Sequence, residues 1–148
     1  MTKEDFMFVA LDCAKKAYKK NEVPVGAVVV FDGKIIAQAY NQKQKKHSAV
    51  FHAEILALIK AGKKLKSWNL SGCEIYCTKQ PCLMCYGALL SSRIDKIYFG
   101  AYDKKYGLEV DTYQQLNTKG FNHTCLVEGG VLEKECSSIL TNFFKDKR

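Results

Sequence analysis

The sequence predicts a layered α/β sheet, part antiparallel and part parallel, with helices packed on both faces. Two features carry that expectation. Two apolar segments flank Asp32-Gly33, a pair that favours a tight hairpin turn, which makes the first two strands antiparallel neighbours. Beyond them, strand-like and helix-like segments alternate, and strands separated by helices pair in parallel. No internal repeat, low-complexity tract or linker interrupts the pattern, so residues 1–148 read as one domain.

The elements follow in order. Residues 3–20 place Phe6, Val9, Ala10, Cys13, Ala14 and Ala17 on one face of an amphipathic helix, and Thr2 with Asp5 fits a capping box at its start. "VGAVVVF" and "KIIAQAY" are the hairpin strands, followed by the polar loop "NQKQKKHSAV". "FHAEILALIKA" is a second helix, expected to stop at Gly62. "CEIYCT" is a strand with Cys73, Ile75 and Cys77 on one side. Pro81 suits the first position of a third helix running to about Ser92, since its missing N–H costs nothing there. "IDKIYFG" and "HTCLVE" are the fourth and fifth strands. A final helix carries Leu132, Cys136, Ile139, Leu140, Phe143 and Phe144 on one stripe.

Composition narrows the function classes. Hydrophobic residues make up 47% and charged residues 26%, an ordinary globular balance. The longest apolar run, "VPVGAVVVF", ends at Asp32 and is too short to span a bilayer. The N-terminus has no apolar core of a signal peptide, and seven cysteines lack a disulfide-framework spacing, so a cytoplasmic protein with reduced thiols is expected. The net charge of +8 points toward a polyanionic partner. Of 23 basic residues only Arg93 and Arg148 are arginine, however, and a general lysine excess is also a compositional feature. The lysine clusters are Lys43, Lys45 and Lys46, then Lys104 and Lys105, then Lys145 and Lys147 with Arg148.

The chemistry concentrates in two short motifs. In "PCLMC", Cys82 and Cys85 stand three apart at a helix start, where the helix dipole and free amides favour thiolate over thiol. In "HAE", His52 and Glu54 stand at another helix start. Positions i and i+2 point about 200° apart on a regular helix, so these two meet one small site only off the helix end. Two helix N-termini facing one metal would supply His52, Cys82 and Cys85 and leave a fourth position open, as a catalytic zinc requires. Water at that position has its pKa lowered toward about 7, and Glu54 is the carboxylate placed to move its proton. Two other readings stay open: a redox pair at Cys82 and Cys85, and a closed metal site built from Cys73, Cys77, Cys82 and Cys85.

The H-x-E…P-C-x-x-C arrangement is the known signature of zinc-dependent nucleobase deaminases, so its meaning is recognised rather than derived. Around it, "EVPVGAVVV", "YN", "HAEI", "PCLMC", "SRIDKIYFGAYDKK", "GFNH" and "EGGVLEKEC" resemble the corresponding blocks of bacterial tRNA-specific adenosine deaminases, over nearly the whole chain. The resemblance implies a three-layer α/β/α cytidine deaminase-like fold with a mixed five-stranded sheet. It also implies one zinc per subunit on His52, Cys82 and Cys85, with Glu54 as the proton shuttle. The reaction implied is hydrolytic conversion of adenosine to inosine at the tRNA anticodon wobble position, in a homodimer.

Carried over residue by residue, the resemblance makes Asn41 a contact to the flipped base, with Val23 and Pro24 walling its pocket. It aligns Asp103, Lys105, His123 and Phe144 with positions that meet the anticodon loop, Phe144 as a stacking surface. Three residues depart from the family pattern: Gln80 where Glu is usual, Phe51 where a small residue is usual, and Tyr102 where arginine is frequent. They keep a neighbouring activity open, deamination of free guanine, cytosine or a nucleotide.

Overall fold

The computed structural model describes residues 1–105 and 123–147. Helix α1 (Lys3–Lys19) begins at a reciprocal capping box: the Asp5 N–H donates to the Thr2 hydroxyl at 3.1 Å, and the Thr2 N–H donates to the Asp5 carboxylate at 2.8 Å. Strands β1 (Gly26–Phe31) and β2 (Lys34–Tyr40) form the expected hairpin. Asp32 and Gly33 both have positive φ, 52° and 74°, the primed-turn geometry that matches strand twist. Next come α2 (Ala53–Leu65), β3 (Cys73–Lys79), α3 (Leu83–Ser91), β4 (Lys96–Ala101), β5 (Leu126–Glu128) and α4 (Glu133–Asp146).

The sheet is mixed and five-stranded, in the order β2-β1-β3-β4-β5. β1 runs antiparallel to both β2 and β3, whereas β3, β4 and β5 are parallel. Strand alternation divides the core in two. Ala27, Val29, Cys73, Ile75, Cys77 and Ile97 meet Ala53, Ala57 and Ala61 of α2 and Tyr86, Leu89 and Leu90 of α3. On the opposite face Val28, Val30, Tyr76 and Tyr98 meet Phe6, Met7, Ala10 and Leu11 of α1 and Cys136 of α4. Both faces are covered, giving the three-layer α/β/α arrangement.

Close helix packing explains Gly26. A Cβ there would lie 2.0 Å from the Ala10 carbonyl oxygen and 2.7 Å from the Ala14 nitrogen, so α1 can rest on the start of β1 only over a glycine. The Gly26 N–H donates to Thr78 Oγ1 at 3.0 Å, tying the start of β1 to the end of β3. Because of the strand directions, β2 and β3 finish, and β1 begins, at one end of the sheet.

Four boundaries differ from the sequence expectation. α2 does not stop at Gly62 but runs to Leu65, because Lys66 adopts the left-handed cap (φ 55°) and its N–H returns to the Gly62 carbonyl. Pro81 is not the first helical residue of α3; it precedes the cap, which is Cys82. β5 comprises only Leu126–Glu128, leaving His123 outside the strand. Leu132 is the left-handed cap of α4 rather than part of its stripe, and Phe144 is 47% exposed.

Candidate active site

Two helix starts meet where β3 ends. His52 is the N-cap of α2 and Cys82 the N-cap of α3; both have extended backbones (ψ 157° and 173°), and neither side chain bonds back to its own helix. An N-cap side chain without that bond projects beyond the helix end, the only place where His52 and the α3 thiols can meet. His52 Nδ1 lies 3.8 Å from Cys82 Sγ and 3.5 Å from Cys85 Sγ, and the three donor atoms all fall within 4.8 Å of one another. With zinc–sulfur and zinc–nitrogen bonds of about 2.3 and 2.0 Å, tetrahedral ligands stand about 3.6 Å apart, so the donor set fits zinc.

The electrostatics agree with that use. Its hydrogen bond with Cys85, and then that with His52, pull the Cys82 thiol down to about 3. The Cys82 contact pushes the Cys85 thiol up, and His52 is raised by its hydrogen bond to Cys82. Glu54, in the first turn of α2, is 4% exposed, and burial raises its carboxyl above the ordinary range. Its Oε1 has no hydrogen-bond partner, the single buried side-chain polar atom in that condition among the described residues. An unpaired buried carboxylate oxygen costs stability and is retained where it has a ligand to serve.

The four-cysteine alternative fails on distance. Cys73 opens β3 and lies six residues from Lys79, about 20 Å along an extended strand from the site. Cys73 and Cys77 are fully buried in the α2–α3 core, and burial pushes both thiols up. Among the described residues, His52, Cys82 and Cys85 are the one cluster of three or more metal-ligating side chains. A dithiol redox pair would leave both His52 and the buried Glu54 without a task.

The donor set opens into a cavity of about 210 Å³, smaller than the roughly 300–1,000 Å³ of drug-sized pockets and suited to a single nucleobase. Besides the donor residues, Val23, Val25, Asn41, Lys79, Gln80, Asp103 and Phe144 line it. Asn41 is 7% exposed, donating through Nδ2 to the Val23 carbonyl at 3.2 Å and accepting at Oδ1 from the Lys43 N–H at 3.1 Å. Pro24 is buried and does not line the cavity.

The remaining sequence candidates are spread more widely. Asp103 lines the cavity, pairs with Lys79 Nζ at 3.3 Å and accepts from the Lys105 N–H, while Lys105 itself lies outside the lining. His123 is not brought to the cavity. Its Nε2 contacts the Ile94 carbonyl at 2.7 Å, where β4 and β5 begin, at the opposite end of the sheet. Among the departures, Gln80 lines the cavity and its Oε1 accepts from the Asp103 N–H at 2.9 Å. Phe51 lies outside the lining, and Tyr102 packs edge-on against Phe99. Arg148 lies outside the described residues. Lys79 was missed by sequence reasoning; a lysine closing a buried strand immediately before the cysteine motif was its signal.

A second cavity of about 590 Å³ adjoins the first and shares Val23, Asn41, Lys43 and Phe144 with it. Lys20, Lys43 and Lys147 give it a basic character. α4 reaches this edge because Tyr18 packs on Phe143 and hydrogen-bonds Asp146, while Lys147 bonds Asn21.

Comparison with known proteins agrees with this geometry. The chain is 43% identical to a tRNA-specific adenosine deaminase of Bacillus subtilis, covering 100% of this chain and 92% of the relative. It is 45% identical to the enzyme of the same name from Aquifex aeolicus, covering 100% and 97%. A solved structure from work on A-to-I editing by tRNA:A34 deaminases superimposes with a TM-score of 0.86 at 36% identity, over 92% of this chain and 99% of that one. A guanine deaminase from Bacillus subtilis superimposes with a TM-score of 0.68 at 28% identity, over 80% and 78%. Residues 1–101 match the profile of the cytidine and deoxycytidylate deaminase zinc-binding region, a stretch that contains the whole donor set and Glu54. The chain therefore belongs to the zinc-dependent cytidine and deoxycytidylate deaminase family.

Proposed function

We propose that this protein converts adenosine to inosine at the wobble position of a tRNA anticodon, releasing ammonia, with residues 1–148 acting as one deaminase domain. The observation that carries the reaction type is Glu54, a buried carboxylate with an unpaired oxygen beside a zinc donor set and a base-sized cavity. The substrate class rests on identity of 43% and 45% to tRNA-specific adenosine deaminases across the full chain, against 28% to the guanine deaminase.

His52, Cys82 and Cys85 would hold the zinc, which would supply a water of lowered pKa, toward about 7. Glu54 takes a proton from the attacking water and delivers it to N1 of the adenine, which makes C6 electrophilic. The water oxygen bonds to C6; Glu54 then takes the remaining hydroxyl proton and hands it to the amine as the C6–N bond breaks, leaving the C6 carbonyl of inosine. One water enters and one ammonia leaves. Burial suits Glu54 to this work, because a raised carboxyl pKa brings its proton affinity closer to that of its partners.

Asn41 holds the base. Beyond its contacts to Val23 and Lys43, its amide retains one hydrogen and one lone pair, enough to donate to and accept from a purine edge. Val23 packs on the base, and Phe144 offers a ring for a flanking nucleotide. Asp103 and Lys105 would meet the loop on the side of Gln80. A homodimer in the cytoplasm completes the reading. Exposed Ile59, Leu83 and Met84 on α2 and α3 support the first part, and free cysteines the second. No described helix is long and apolar enough to cross a membrane.

Ammonia release from an anticodon stem-loop with adenosine at the wobble position tests the proposal, beside free adenosine, guanine and cytosine. The stem-loop should be turned over readily, and free adenosine poorly, because it brings no remote binding energy to the transition state. Neutralising about four phosphates should give a log–log salt slope near −3. Efficient turnover of free guanine or cytosine with the stem-loop untouched would overturn the tRNA assignment.

A further inference from the structure

Glu22 is a buried charge that the reaction does not use. It is 2% exposed, and its two carboxylate oxygens accept hydrogen bonds from consecutive backbone amides, Gln44 N at 3.0 Å and Lys45 N at 2.8 Å. The preceding amide, Lys43 N, donates to Asn41 Oδ1. Three successive N–H groups of a segment without helix or strand are thus held by side-chain oxygens. Isolating a carboxylate from water is costly unless its lone pairs are satisfied, and here the backbone of the basic loop satisfies them.

The consequence falls on Lys43. It lies between the Asn41 strap and the Glu22 strap, and it lines both the base-sized cavity and the adjoining basic groove. A phosphate next to a base seated in the first cavity would lie where the two cavities join. We propose that Glu22 is a positioning residue for polyanionic substrate: it clamps the loop so that Lys43 is presented to the phosphate beside the reacting base. This rests on the RNA reading above. Loss of the clamp leaves the lysine charge in place but free to wander, and an unlocalised charge gives up most of a close contact.

Steady-state kinetics on the anticodon stem-loop across a salt series tests this. Glu22→Ala should raise KM about 10-fold with kcat and zinc content little changed, and should weaken the salt dependence by about 0.7 in slope, one phosphate contact on single-stranded RNA. Lys43→Ala should do the same, and the double variant should be no worse than the poorer single one, because both remove one contact. Glu22→Gln, which keeps the volume and one acceptor, should fall between wild type and Glu22→Ala, and it serves if the alanine variant does not fold. Wild-type KM in either Glu22 variant overturns the clamp. So does a loss confined to kcat or zinc, and effects of Glu22→Ala and Lys43→Ala that multiply overturn the route through Lys43. A wild-type protein inert on the stem-loop instead overturns the RNA reading, and the clamp with it, before any variant is compared.

Discussion

α1 and the two helices of the metal site begin in opposite ways. At α1 the cap side chain and the third residue of the helix satisfy each other's backbone, and two acids, Glu4 and Asp5, face the positive end of the dipole. At α2 and α3 the same cap position is held by His52 and Cys82, which make no such bond, and α3 has no acid in its first turn. A good N-cap contributes about 1 kcal/mol, so the two uncapped starts together forgo about 2 kcal/mol of local stability. That deficit is offset when metal is bound, because ligation stabilises only the folded arrangement. The helix with the reciprocal cap is scaffold; of the three starts without a side-chain cap, those of α2 and α3 converge on the donor set, and that of α4 at Leu132 does not.

The strongest test exchanges one kind of helix start for the other. Cys82→Ser gives α3 a better cap than it has now while removing a donor atom. Zinc should fall from one per chain to near zero by metal analysis, and turnover should disappear with it. A serine variant that kept full zinc and activity would remove Cys82 from the site. Next in size is Glu54→Ala, which should leave zinc and fold intact while lowering turnover about 100- to 10,000-fold, the range for general acid–base groups. Wild-type turnover in that variant would exclude the proton shuttle.

On the scaffold side the effects are smaller and leave chemistry alone. Thr2→Ala should cost about 1 kcal/mol, lowering the melting temperature by about 2–4 °C in thermal unfolding, with zinc content and kcat unchanged. The smallest effect concerns acid. The Thr2 N–H, and then its hydroxyl, hold the Asp5 carboxyl below its ordinary 3.8. A depressed carboxyl contributes stability above that value and loses it as pH falls through the depressed one. The stability difference between wild type and Asp5→Asn should therefore shrink as pH is lowered from 5 toward 2. A difference independent of pH would mean that the capping bond does not act in solution.

Much of the fold is legible because it depends on short-range patterning. The hairpin follows from Asp32-Gly33, the α1 cap from Thr2 and Asp5, and the face of β3 from the spacing of Cys73, Ile75 and Cys77. The donor set was legible for a different reason: histidine, glutamate and paired cysteines are chemically conspicuous at helix starts. Glycine as a stop signal misled at Gly62, since Lys66 could take the left-handed cap four residues later. Proline misled at Pro81, where the ligand cysteine itself takes the cap. Glu22 gave little local sign of its part, because it acts through the Gln44 and Lys45 amides, more than twenty residues away in the chain.

The sequence alone determined the order of elements and the mixed sheet, and it singled out His52, Cys82 and Cys85 as candidate donors, because periodicity, turn chemistry and ligand type are properties of neighbouring residues. Only the tertiary structure decided that Glu54 is buried with an oxygen unpaired, that Asn41 and Glu22 hold successive amides of one loop, and that His123 belongs to the far end of the sheet. Those outcomes depend on strand direction. Because β1 opposes β2 and β3, strand ends from separated parts of the chain reach one end of the sheet, where the cavity draws its lining from six separated stretches, and no local pattern encodes which distant groups will meet there.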